Sequence, residues 1–102
     1  MNYLNKIEIT GRIGTANFYE KNSNTALRLS VATRHQVLTS ESEILEITTW
    51  YNVALFGDQA RALKDSAVKG QWVKLSGPLS KKKFQGKIYD QISPDSIEIL
   101  AN

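Results

Sequence analysis

The chain has no cysteine, which excludes a disulfide framework and any thiolate metal site and suits a reducing compartment. Its single histidine, His35, has no second imidazole to join, and no zinc-binding helix motif occurs. Gly11-Arg12-Ile13-Gly14 is too short for a phosphate-cradling glycine fingerprint, and Asp58 and Asp65 are better explained as helix cap and helix surface than as an acid–base pair. Neither catalysis nor a cofactor is expected. No apolar run is long enough to cross a bilayer, and the stretch from Met1 to Gly14 carries Lys6, Glu8 and Arg12 where a signal peptide needs unbroken apolar residues. A soluble, cytoplasmic protein is therefore expected. Linkers and internal repeats are also missing, and 102 residues hold one core, so residues 1–102 are read as one domain.

What the chain does have is strand periodicity. Ile7, Ile9 and Ile13 alternate with charged and polar residues, and Gly11 sits on the apolar parity, where a glycine marks a bulge or a tight bend. The pattern lapses from Thr15 to Thr25, and Asn22-Ser23-Asn24 predicts a hairpin loop there. Leu27, Leu29 and Val31 then form one face of a second strand, with Arg28, Ser30, Ala32 and Arg34 on the other. Leu38 to Glu46 is polar and acidic and reads as a long surface loop. A third strand comes next, with Tyr51, Val53 and Leu55 on one side and Trp50, Asn52, Ala54 and Phe56 on the other.

Asp58 reads as the N-cap of a short helix with Ala60, Leu63 and Ala67 on its inner stripe, stopped by Lys69-Gly70. Val73 and Leu75 mark a fourth strand that Gly77-Pro78 interrupts or bends. A basic hairpin with its turn at Gln85-Gly86 leads to a last strand region holding Ile88, Ile92, Ile97 and Ile99, which Ser93-Pro94-Asp95 divides. Three strands, a short helix between strands 3 and 4, and two further strands give an all-β, five-stranded OB-fold barrel. An SH3-like barrel or a small sandwich is the alternative.

The net charge of +3 is a mild signal, and its distribution says more. Lys81, Lys82, Lys83 and Lys87 lie together without an acid among them, whereas Glu41, Glu43 and Glu46 cluster elsewhere. Trp50 and Phe56 on the third strand, Phe84 in the lysine-rich hairpin, and Arg28 and Arg34 on the second strand could line an aromatic and cationic groove. Single-stranded nucleic acid needs that combination, because exposed bases stack on rings while Lys and Arg neutralise phosphates. Trp72 and Tyr19 are open between packing on the barrel rim and stacking a base.

The chain resembles the DNA-binding domain of the bacterial single-stranded DNA-binding proteins. The likeness rests on Asn5-Lys6-Ile7 through Gly11-Arg12-Ile13-Gly14, Leu29-Ser30-Val31-Ala32-Thr33, Thr49 to Gly57, and Lys69-Gly70 through Val73 to Gly77. It implies sequence-independent binding of single-stranded DNA during replication, recombination or repair, with stacking at Trp50, Phe56 and Phe84. Tyr19 falls near a further family aromatic, and Arg12, Arg28, Arg34, Lys81, Lys82, Lys83 and Lys87 complete the expected contact set. A nucleoid-associated homotetramer is implied too. Tyr51 stands where the family usually has His near a subunit contact, so a dimer is the alternative. A family tryptophan expected after Ala32-Thr33 is absent, with Val37 in its region. The sequence stops at Asn102 without the family's Gly/Pro/Gln-rich linker and acidic tip, so no tail-mediated recruitment of other proteins is expected. A primosomal replication protein N-like adaptor, or an OB module for protein or oligosaccharide, stays open beside this reading.

Overall fold

The computed structural model describes residues 6–100 and every side chain among them except that of Phe84; Asn5 and the end at Asn102 lie outside. The elements are β1 (Lys6–Lys21), β2 (Asn24–Leu38), β3 (Ile44–Phe56), α1 (Gly57–Leu63), β4 (Trp72–Phe84), β5 (Lys87–Ile92) and β6 (Ser96–Ile99). The sheet runs β1-β2-β3-β5-β4, and pairing of β1 with β4 closes it into a five-stranded barrel. β6 adds to β4 beyond the break at Ser93-Pro94-Asp95. This is the OB-fold architecture that the strand order predicts.

Alternation explains the core. Ile9 and Ile13 of β1, Leu27, Leu29 and Val31 of β2, Val53 and Leu55 of β3, Val73 and Leu75 of β4, and Ile92 of β5 all point inward and are buried. Ala60 of α1 and Ala67 beyond it are buried with them. Gly11 is needed where β1 changes partner, because a Cβ there would run into the Ala32 carbonyl oxygen and lie 2.8 Å from Val31 Cγ1.

Several expectations are corrected. Thr15 to Lys21 is strand, and only Asn22-Ser23 turns, both at positive φ (50° and 69°) as a two-residue hairpin of the primed type requires. The bulge in β1 falls between Ile13 and Thr15, so Gly14, not Gly11, occupies it. Leu38 to Glu46 is no long loop: β2 and β3 pair out to Leu38 and Ile44, building a projecting arm. That arm has no barrel beneath it, so its exposed residues lack the apolar alternation that betrays strands elsewhere. β4 passes through Gly77-Pro78 unbroken and changes partner there, from β1 and β6 to β5.

Asp58 does not cap α1. The N-cap is Phe56, and the Asp58 carboxylate inside the first turn receives Arg61 Nη2 at 2.6 Å. Arg61 also donates to Thr25 Oγ1, also at 2.6 Å, tying the helix to β2. The helix ends at Leu63, short of Lys69-Gly70. Ile88 lies in β5, as expected, and is 70% exposed on the basic hairpin.

Candidate nucleic-acid interface

Residues opposite one another on paired strands project to the same side of a sheet. On the outer face of β1, β2 and β3 this places Tyr19 beside Ala26 and Ala26 beside Phe56. Farther along, Asn17, Arg28 and Ala54 form a second row. A third row runs over four strands, from Trp72 of β4 through Arg12 and Ala32 to Trp50. Six residue steps separate Ala26 from Ala32, about 20 Å of extended strand. Rings thus stand at both ends of the face, with Arg28 and small or polar residues between them.

The rings are open to solvent: Trp50 is 59% exposed, and Phe56 and Tyr19 are each 53% exposed. Core packing does not account for exposed aromatics at both ends of one face of so small a barrel.

Gly14 controls both ends of this face. One extra residue in a strand flips the parity of every later position, so the bulge turns Ala16 and Phe18 toward the core and Tyr19 outward. The Trp50 ring also lies over Gly14, where a Cβ would come 2.6 Å from Cη2. Only glycine lets the ring lie this close to the sheet.

The rows enclose two concavities. A groove of about 660 Å³ is lined by Arg12, Ala32, Arg34, Trp50, Lys69 and Trp72, among others. At the other end, Tyr19, Ala26, Arg28 and Tyr89 enclose about 440 Å³. Arg28 and Tyr89 continue from there into a third hollow with Asn52 and Gln91.

The register divides the basic hairpin. Lys82 lies opposite Tyr89, on the side that carries Lys87 and Gln91 and faces the Tyr19 and Arg28 hollow. Lys81 and Lys83 project the other way, and Lys81 Nζ sits 2.6 Å from Asp90. Arg34 is paired with Glu46 at 3.2 Å. Both pairs are exposed, so they hold their cations by no more than about 1 kcal/mol. Among the described residues, Arg12, Arg28, Lys69, Lys82, Lys83 and Lys87 have no carboxylate partner. The backbone of Phe84 pairs with Lys87 at the hairpin end, and its side chain is outside the described set. No group of three or more His, Asp or Glu among the described residues could hold a metal ion.

The model of the single-strand binding protein family matches residues 4–101. The chain belongs to this family. Single-stranded DNA-binding proteins of Neisseria meningitidis serogroups A and B are each 31% identical over 101 residues, which is 97% of this chain and 57% of theirs. The chain thus spans little more than half the length of these relatives.

Among solved structures, the single-strand binding protein of Plasmodium falciparum in complex with single-stranded DNA superposes with a TM-score of 0.88 at 21% identity, over 99% of this chain and 98% of that one. The Thermus aquaticus protein, as a deletion mutant, gives 0.84 at 21% identity over 96% of this chain and 51% of its own. A small single-stranded DNA-binding protein of Streptomyces coelicolor gives 0.78 at 17% identity, over 97% and 95%. These likenesses establish the fold of this family member.

The family motifs lead directly to Trp50 and Phe56. Asn52 and Lys69 lie within those motifs without being singled out, and Tyr89 of β5 lies outside them; all three line the grooves. For Asn52 and Tyr89 the signal is strand register, which periodicity within one strand does not contain.

Proposed function

We propose that this domain binds single-stranded DNA without sequence specificity, protecting it during replication, recombination or repair. The carrying observation is the outer face of β1, β2 and β3, with exposed rings at both ends and Arg28 between. A duplex keeps its base faces stacked, whereas a single strand offers them to Trp50, Phe56 and Tyr19. Arg12 and Arg28 neutralise phosphates along the path, and Lys82 and Lys87 do so from the hairpin. Arg34 and Lys81 join by exchanging a surface carboxylate for a phosphate, while Lys83 adds long-range attraction. Phe84 belongs to the proposed contact set through the resemblance.

Stacking accepts any base, and among the described residues no helix lines the groove, so base readout is not part of the proposal. The working form is a homo-oligomer, a tetramer or a dimer, in a bacterial cytoplasm beside the nucleoid. Sedimentation velocity decides the first point. Binding itself is tested by titrating Trp50→Ala and Phe56→Ala with oligothymidine. Each is expected to lose roughly 5- to 150-fold in affinity, the equivalent of one base–ring stack at about 1–3 kcal/mol. Unchanged affinity in both variants overturns the assignment.

A further inference from the structure

The row that ends at Trp50 does not stop at β1. Trp72 lies beside Arg12 on the neighbouring strand, and Arg12 Cζ sits 4.9 Å from the centre of the indole. Both residues line the 660 Å³ groove with Trp50, and Lys69 stands at the same end. Trp72 is 39% exposed, so the indole is neither core nor fully solvated.

Arg12 has no carboxylate within reach among the described residues. Its orientation therefore rests on the indole, whose negative face attracts the guanidinium. A guanidinium is planar, so one seated over the indole can offer a face on which a base stacks and keeps edge N–H groups for a phosphate. Lysine offers a point charge and neither of these features.

We propose that Arg12 and Trp72 form a composite platform for one further nucleotide of the single strand, in which the base stacks on the Arg12 guanidinium and Trp72 backs it. This rests on the single-strand reading above and adds the Trp72 end of β4 to the binding track. Arg12 is the contacting residue in this arrangement, and Trp72 is a positioning residue. Ala32, between Arg12 and Trp50, keeps the trough open between the two platforms.

The test compares oligothymidine affinity and salt dependence in Arg12→Lys, Arg12→Ala, Trp72→Ala, Trp72→Phe and the Arg12→Lys/Trp72→Ala pair, with thermal melting as the folding control. Arg12→Lys is expected to bind at least about 5-fold more weakly with an unchanged salt slope, because the charge stays and the stack goes. Trp72→Ala should lose a similar factor, Trp72→Phe should regain most of it, and the pair should be no worse than either change alone. A purely electrostatic Arg12 gives the opposite pattern: Arg12→Lys binds like the parent, and only Arg12→Ala is weakened, with a shallower salt slope. That result, or full affinity in Trp72→Ala, overturns the platform while leaving the function standing. Absence of single-strand binding by the parent protein overturns both.

Discussion

Replacing Gly14 by alanine separates the binding face from the fold. The new Cβ would sit 2.6 Å from Trp50 Cη2 and 3.2 Å from Ser30 Oγ. Carbon atoms rest at about 3.5–4.0 Å, so the ring must withdraw by roughly an ångström or more. The obstructing atoms are the far end of an exposed side chain, so the ring can swing away without moving backbone. Melting temperature should therefore change little, while the stack at Trp50 is displaced. Losing all of it costs about 1–3 kcal/mol, a factor of roughly 5–150 in affinity. Anisotropy of a labelled oligothymidine measures the loss, and melting followed by circular dichroism measures stability. Parental affinity in Gly14→Ala would refute the placement of Trp50 over Gly14 as a binding platform. A large loss of melting temperature would show that the glycine serves the bulge rather than the ring.

Neighbouring positions give other outcomes. Gly11→Ala meets backbone and core instead of a movable ring, so it should destabilise by about 1–3 kcal/mol, visible as a lower melting temperature. Leu55→Ala opens a void among fully buried neighbours and should cost about 2–5 kcal/mol in denaturant unfolding. Lys82→Ala with Lys87→Ala should flatten the log–log salt dependence by about 0.7 for each phosphate that is no longer neutralised. Lys81→Ala with Lys83→Ala, on the opposite side of the hairpin, should flatten it less; equal effects would refute the division by register.

The barrel was legible in the sequence where strands have one wet and one dry face. Leu27 to Val31 carry that contrast, and spacing alone identifies their inward residues; it also identifies Val53 and Leu55, although Ala54 between them is buried as well. The projecting arm was not legible, because a hairpin wet on both sides needs no alternation. Nor was the outward turn of Tyr19, since a bulge at Gly14 leaves no mark in composition and reverses the parity of the rest of β1. Trp50 and Phe56 were accessible as candidates because they share the face opposite Val53 and Leu55. The union of Trp72, Arg12 and Trp50 in one groove needed the register of four strands, which no single stretch of sequence contains.

Intrinsic tryptophan fluorescence, monitored during titration with oligothymidine and separately with duplex DNA at low and high salt, tests the central claim most directly. Both indoles line the same groove, so a strand that stacks there must alter their emission. The account predicts quenching by the single strand alone, with an affinity that falls as salt rises by about 0.7 log units per log unit for each phosphate engaged. Equal response to duplex, or an affinity indifferent to salt, would contradict it.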